Sequence, residues 1–503
     1  MNTTHRLSVV GLLILLHGAI TEGSLFGEDR RPNVLMIVVD DMNDWVGCLG
    51  GHPQIRTPNI DRLAQRGILF ANAHVPAPVC NPSRVSVLTG RNPASTGIYG
   101  NDVVWHEAIP DIASLPGHFK ANGYRVVGGG KVNHHMPGFN RPSDWHEYFD
   151  QVFDSHYQDQ LARGLDVSNF QWPHGFPLNG LESVRTLSKP PKNPLEFDWG
   201  PWNQGDLEMG DGRMVAWAVD FLKQPKDRPF FLAAGIYRPH LPFYAPGKYF
   251  HQYPEEQVQL PIVNPNDRED LPETGLKMAQ DRGEDFELVV REGKHRELVQ
   301  AYLANVSYAD ALVGYLLDAL DASAHADNTM IIFWSDHGWH LGEKQHLHKF
   351  TLWERSTRVP LIVALPKSTS STFSAQVDAR CNRPVGLVDL FPSLIELCDL
   401  PAVDGLDGIS LVPWLRKPDQ ERLRPAITTH GFGNHAIRSE HLRYISYADG
   451  GEELYDHRSD PNEWHNLASD PAYAKSKQDL RDWLPQANAP KKKDKKRTRL
   501  EAP

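Results

Sequence analysis

Three apolar runs, each closing on polar side chains, limit what this chain can become. Val34-Leu35-Met36-Ile37-Val38-Val39 ends in Asp40-Asp41, and Thr329 to Trp334 leads into Ser335-Asp336-His337. Between them, Phe230-Phe231-Leu232-Ala233-Ala234-Gly235 runs into Ile236-Tyr237-Arg238-Pro239-His240. Runs that are apolar at every position read as strands buried on both faces, the condition of a parallel sheet covered by helices. Helical periodicity is interleaved with them at 58–66, 114–122, 213–222 and 297–321, which predicts an α/β sandwich. Ligands of open α/β sheets gather outside the C-terminal strand ends, and Asp40, Asp41, His240, Asp336 and His337 fall there. Adjacent acids repel unless a cation lies between them, and hard oxygen donors suit Ca²⁺ or Mg²⁺. A surface acidic turn is the other reading of Asp40-Asp41.

Two loops add candidate chemistry. Gly128-Gly129-Gly130-Lys131-Val132-Asn133-His134-His135 lacks the spacing and the Lys-Ser/Thr pair of a phosphate-binding loop. Its glycines permit a sharp turn that leaves Lys131 as a fixed positive charge and His134 as a proton carrier near neutral pH. A flexible loop with exposed polar residues would look the same. Cys80-Asn81-Pro82-Ser83-Arg84 follows a proline-rich entry at Pro76 and Pro78. Ser83 as a cap predicts a helix over Arg84 to Leu88 stopped by Gly90, with Cys80 just ahead of an anion-favouring N-terminus. On residue chemistry alone, a buried or disulfide-bonded cysteine is the simpler reading.

The order of residues reverses that preference. Cys80-x-Pro82-Ser83-Arg84, continued by Leu88-Thr89-Gly90-Arg91, resembles the signature of the type I sulfatases. Thr57 to Leu63, Gly130-Lys131-x-x-His134, the helix pattern of Val385 to Cys398 and the ending from Leu454 to Leu467 are similar to that family too. Pro239-His240-x-Pro242-Phe243 resembles its iduronate-2-sulfatase branch.

The resemblance implies an alkaline-phosphatase-like α/β sandwich, with a central mixed sheet between helices and a small C-terminal antiparallel sheet domain. It implies that Cys80 is oxidised to formylglycine, whose hydrate is the nucleophile. Pro82 and Arg84 would direct a formylglycine-generating or sulfatase-maturing enzyme, and Arg84 would also hold the finished nucleophile. Asp40, Asp41, Asp336 and His337, with converted Cys80, would hold Ca²⁺. Lys131, Lys349 and His240 would bind the sulfate oxygens, His134 would move the proton, and Asp40 could help activate the attacking hydroxyl. The implied partner is a sulfated carbohydrate, with a 2-sulfated uronic acid at a chain end as the expected substrate and Lys349 and Arg238 as its cationic contacts. Asn133 stands where the iduronate branch usually has an aromatic residue, and His135 follows His134, so either His could act. The other readings are a phosphodiesterase or phosphonate monoester hydrolase of the same superfamily, and a non-catalytic glycan-binding homologue.

Length and charge set the remaining expectations. Residues 1–23 have a weakly basic start and a short apolar run, Leu7 to Ile20, which reads as an export signal, with a membrane anchor as the alternative. Export to a periplasmic, extracellular or lysosome-like compartment is expected, with no stable membrane insertion. Residues 32–416 are expected to form the catalytic domain and 425–485 a small C-terminal unit of short strands and a last helix. A basic, disordered tail is expected over 486–503. Residues 136–210 read as a loop-rich, Trp-bearing insertion that shapes a substrate mouth. Four cysteines allow at most one disulfide once Cys80 is converted, and Cys381 with Cys398 is the nearest pair. Net charge is -11, of which the stretch from Lys491 to Arg499 contributes +6. The difference leaves the body near -17, which argues against nucleic-acid binding.

Overall fold

Asn33–Val39 lies inside an eight-stranded sheet, with every residue of the strand buried. From one edge the order is Ala379–Cys381, Ile68–Phe70, Leu361–Ala364, Thr329–Ser335, Asn33–Val39, Phe230–Ile236, Arg125–Gly130 and Glu147–Phe149. Only Leu361–Ala364 runs against the others, so the sheet is mixed, as the family resemblance implies, while the three apolar runs lie parallel within it. The computed structural model describes residues 31–493 except 156–158, 161–171, 173, 182–195 and 367–376. The expected export signal, the end of the basic tail and much of the Trp-bearing insertion lie outside the described residues.

Helices cover both faces, and two hydrophobic clusters fill the space between them and the sheet. The longest helix, His295–Asp321, packs on the face that also carries Gly210–Lys223. Its Tyr302 hydroxyl donates to Asp41 O at 2.8 Å, and its Asp310 carboxylate accepts the Asn59 and Ile60 N–H groups at the start of helix Pro58–Arg66. That helix therefore takes its cap from a residue distant in the chain, while Thr57 makes no side-chain cap.

The Cys80 helix differs from its local prediction. It runs Cys80–Thr89, so Cys80 is its first residue, and Val79 stands at the N-cap. Ser83 does not cap it; its hydroxyl donates to Asp336 O at 2.6 Å. All ten residues are buried, so packing against the strand ends, rather than a polar cap, sets where the helix begins. Gly90 closes it in the left-handed region, as expected.

Four antiparallel strands, Ala426–Thr429, His435–Arg438, Leu442–Ser446 and Glu452–Asp456, form the small C-terminal sheet. All four cysteines are free thiols, so Cys381 and Cys398, the nearest pair in sequence, are not bridged. Cys381 ends an edge strand, while Cys398 follows helix Leu390–Leu397 and its thiol meets the Tyr124 hydroxyl instead. The tail expected to be disordered from 486 is in place as far as Lys493, where Ala489 N and Lys492 N donate to Ala94 O and Gly97 O.

Register brings the strand ends level, because Val39 pairs with both Ser335 and Ile236, and Gly130 with Gly235. Lys131 turns in at once, and its N–H donates to Gly235 O at 2.8 Å. That turn needs Gly130 at φ 67°, where an added Cβ would stand 2.1 Å from Gly235 O. Gly130→Ala is expected to cost about 1–3 kcal/mol of backbone strain before the clash is counted. Denaturant midpoint and turnover should fall together; an unchanged midpoint would show that the close approach is not a constraint.

Candidate active site

Four neighbouring strands deliver the polar cluster at their C-terminal ends. Asp40 and Asp41 follow Asn33–Val39, Asp336 and His337 follow Thr329–Ser335, Lys131 follows Arg125–Gly130, and His240 follows Phe230–Ile236. Cys80 and Arg84 enter from the buried helix, and Lys349 from a strap between Leu347–His348 and Glu354–Thr357. Asp40, Asp41, Lys131, Asp336 and His337 are wholly buried, and Cys80 is 1% exposed. Asp41 itself adopts φ 61°, a left-handed conformation that costs an ordinary residue energy and turns its carboxylate inward.

The charges interlock. Lys131 Nζ is paired with Asp40, and Lys349 Nζ lies 2.7 Å from Asp41 Oδ1. Arg84 Nε donates to Asp336 Oδ2 at 2.9 Å, and its Nη2 stands 3.3 Å from Asp40 Oδ1. Cys80 Sγ sits among them, 3.2 Å from Lys349 Nζ, 3.3 Å from His337 Nε2 and 3.9 Å from Lys131 Nζ. Three carboxylates face three permanent cations, so the buried cluster is close to electrically neutral.

Burial opposes charge on Asp40, yet Lys131, His240, Arg84 and Lys349 hold its carboxyl well below the usual range. Burial pushes Asp41 up to about 7 against the pull of Lys349, with Asp40 adding to the rise. Burial would lower Lys349, but Asp41, Cys80, Asp40 and Asp336 carry it above its ordinary value. Burial also raises the Cys80 thiol, outweighing Lys131 and Lys349, so the sulfur stays protonated.

Asp40, Asp41, Cys80 and His337 each offer a ligand atom, all within 4.8 Å of one another. Asp40 Oδ1 and Asp41 Oδ2 are buried and accept no hydrogen bond, which is costly for carboxylate oxygens unless a cation meets them. These residues fit a divalent metal. Asp336 backs the group: Oδ2 takes Arg84 Nε, Oδ1 takes the Asp41 N–H at 3.2 Å, and His337 Nε2 is 3.4 Å away.

A cavity of about 630 Å³ opens onto Cys80, His240 and Lys349 and is lined also by Asn101, Asp102, His134, His135 and Phe350. His240 donates Nδ1–H to Leu241 O at 2.6 Å, which leaves Nε2 as the free nitrogen, 3.9 Å from Asp41 Oδ2. Burial, then His135 and Lys131, hold His134 well below its ordinary value, so it is a neutral base with Nδ1 unpartnered. His135 also lines the cavity, packed between Phe153 and Tyr237. Asn133 points away, bonded to Asn140.

Arg238 is not a cavity cation. It is 3% exposed and its guanidinium donates to Tyr244 O at 2.8 Å and His240 O at 3.3 Å, with Asp154 at 3.4 Å. It holds the His240 turn, helped by Asp211, whose two oxygens accept the Tyr237 and Arg238 N–H groups at 2.9 Å. The strap is held likewise: His348 Nε2 pairs with Asp285 at 3.0 Å, and His346 Nε2 lies 2.9 Å from Lys349 O. Asp211, Asp285 and the aromatic Tyr237, 4.5 Å beneath Lys131, carry no local sequence signal and were legible only in three dimensions.

Solved structures share this fold. The phosphonate monoester hydrolase of Agrobacterium radiobacter superposes with a TM-score of 0.70 at 20% identity, over 90% of this chain and 94% of that one, a likeness of fold. The model of the family described as Sulfatase matches residues 32–400, and the chain belongs to that family, whose members hydrolyse sulfate esters. A second model, described as N-sulphoglucosamine sulphohydrolase, C-terminal, matches residues 342–490. A sulfatase of Formosa agariphila is 38% identical over 470 residues, 92% of this chain and 88% of that protein. Human iduronate 2-sulfatase is 34% identical over 398 residues, 76% of this chain and 67% of that protein.

Arg238→Ala separates the two roles considered for that side chain. As the support of the His240 turn, it should lower kcat by about 10- to 100-fold on every sulfate ester, charged or neutral. A rise in KM confined to carboxylate-bearing substrates would restore it as a substrate contact.

Proposed function

We propose that this sulfatase is exported, depends on formylglycine at position 80 and on Ca²⁺, and acts on a sulfated glycan at a chain end. The observation that carries this reading is the surroundings of Cys80. A thiol gains little from a cage that keeps it protonated, whereas an oxygen nucleophile in the same place would have Lys349, Lys131 and His337 within reach. Cys80 Sγ stands in for the hydroxyl oxygens of the hydrated aldehyde. Conversion requires a maturing enzyme, and because all of Cys80–Thr89 is buried, that enzyme must reach the motif before folding is complete.

When present, formylglycine supplies the nucleophilic hydroxyl and Ca²⁺ polarises the sulfate oxygens. Asp40, Asp41, Asp336 and His337 would hold the metal; their donors are mostly hard oxygens without a second imidazole, which favours Ca²⁺ over Zn²⁺. A divalent cation added to a neutral cluster leaves the net positive charge that a sulfate ester needs. Lys131 and Lys349 bind the sulfate oxygens and stabilise charge as the S–O bond breaks. Arg84, tied to Asp336 and to the Lys131 and Val132 carbonyls, fixes the nucleophile. Asp40, kept ionised, accepts the proton of the attacking hydroxyl. His240, on the wall of the same cavity, joins Lys131 and Lys349 around the sulfate oxygens, and His134, neutral with a free nitrogen, removes the proton needed to release sulfate.

Depth supports the chain-end claim, since a sulfate must travel down a cavity to a residue 1% exposed. The 2-sulfated uronic acid follows from the likeness to iduronate 2-sulfatase and from the Pro239 to Phe243 turn. The fold likeness to a phosphonate monoester hydrolase keeps a phosphodiester in the assay.

Peptide mass spectrometry of active protein should find Cys80 with its sulfur replaced by oxygen and hydrogen lost, as aldehyde formation requires. An active preparation whose Cys80 peptide is entirely thiol contradicts the reading. Cys80→Ala should abolish turnover of a chromogenic sulfate ester. Among defined disaccharides carrying 2-, 3-, 4- or 6-sulfates, the 2-sulfated uronate should turn over fastest; preference for a 6-sulfated hexosamine would remove the uronate assignment and leave the sulfatase intact.

A further inference from the structure

The turn that joins the first two strands of the C-terminal sheet reaches the mouth of the catalytic cavity. Strand Ala426–Thr429 is pinned beside the entry to Cys80: Thr429 N donates to Pro76 O at 2.8 Å, and the Thr428 hydroxyl to Val75 O at 2.5 Å. The turn that follows is His430-Gly431-Phe432-Gly433-Asn434. Two bonds close it, His430 N to Asn434 O and Asn434 Nδ2 to His430 O, each 3.0 Å long. Asn434 Oδ1 also accepts the Ala448 N–H at 2.9 Å, which ties the turn to the next one in the sheet. Gly431 and Gly433 stand at φ 68° and 79°, so Phe432 is carried at the tip between two left-handed residues.

Ring contacts place this tip. The His430 ring lies 6.4 Å from that of Phe350, and the Phe432 ring 6.0 Å from that of Tyr99, at 74° to it. Phe350 lines the cavity that holds Cys80, and so do Asn101 and Asp102, just beyond Tyr99. Phe432 therefore stands at the rim, and it is 55% exposed. A single exposed apolar side chain is ordinary on a protein surface and carries nothing by itself. Phe432 differs in being held by a fixed turn at the lip of a deep polar cavity. Tyr99 steadies the ring and still leaves more than half of the residue in water.

We propose that Phe432 is a stacking platform for the second sugar of the substrate. The terminal ring would carry its sulfate down to position 80, and the next pyranose would lie on Phe432 at the rim. The inference rests on the sulfated-glycan reading of the substrate and names the residue that favours an oligosaccharide over a single sulfated sugar. A pyranose offers a C–H face of about the width of a phenyl ring, with its hydroxyls at the edge, so it gains from an apolar platform without losing hydration of those hydroxyls. A ring already fixed in place costs little to order on binding. A protein partner would need roughly 800 Å² of matching surface, which one aromatic tip does not offer.

The test compares the wild-type protein with Phe432→Ala, Phe432→Leu and Phe432→Trp. The substrates are the defined sulfated disaccharide turned over fastest and the matching sulfated monosaccharide, with a chromogenic aryl sulfate as reference. In Phe432→Ala the ratio of kcat/KM for disaccharide to that for monosaccharide should fall about 3- to 10-fold, through KM rather than kcat. Phe432→Leu, apolar but not flat, should lose as much, and Phe432→Trp should keep the wild-type ratio. An unchanged ratio in Phe432→Ala, a ratio kept by Leu, or a loss carried by kcat alone would overturn the platform and leave the glycan reading standing. Wild-type protein that turns over the aryl sulfate but no sugar sulfate would overturn the glycan reading, and the platform with it.

Discussion

The structure depends on a single electrostatic bargain: three carboxylates and three permanent cations are buried together at the ends of adjoining parallel strands. Singly, each would be prohibitively costly to remove from water. Together they are tolerated because register sets Asp40, Asp336 and Lys131 at one level and the Cys80 helix brings Arg84 in between. Losing one partner of such a pair leaves an uncompensated buried charge, at a cost of about 3–5 kcal/mol. The same balance would suit the proposed reaction, since a divalent metal and an anionic ester would then enter a cluster that is already nearly neutral.

Lys349 shows how far the supports of that cluster extend. The course into and through its strap includes the left-handed residues Lys344, Gln345, His348 and Phe350, a strained path that the surroundings must enforce. Asp285 holds His348, Asp267 holds Lys344 at 2.6 Å, and Glu354 just beyond the strap pairs with Arg438 and Arg443 of the C-terminal sheet. Arg443 pairs in turn with Glu463 at 2.6 Å. The small sheet is thus part of the scaffold that aims an active-site lysine.

Much of this was legible in the chain because the strands are apolar throughout and the chemistry sits immediately after them. Asp40-Asp41, Asp336-His337, Lys131 and His240 are each found by reading past the end of a strand. Local rules failed where packing overrode them. Ser83 looks like a cap but serves Asp336 O, and Cys381 and Cys398 are near in sequence yet occupy a strand edge and a helix end. Arg238 looks like a substrate cation because a sequence does not show that Tyr244, His240 and Asp154 have already claimed it. Asp211, Asp285 and Asp310 act on partners tens to hundreds of residues away, with no periodicity or motif to mark them. The part of the tail up to Lys493 departs from expectation because its placement comes from backbone bonds to Ala94 and Gly97, which its composition does not encode.

The central claim is that the buried acids form one cation site shaped for calcium. Calorimetric titration of chelator-stripped protein with Ca²⁺ tests it most directly, with the Asp41→Asn variant titrated alongside. The account predicts one saturable calcium site per chain that raises the melting temperature and is lost in the variant. Stoichiometric zinc taken up in preference to calcium, or calcium bound equally well by Asp41→Asn, would contradict it.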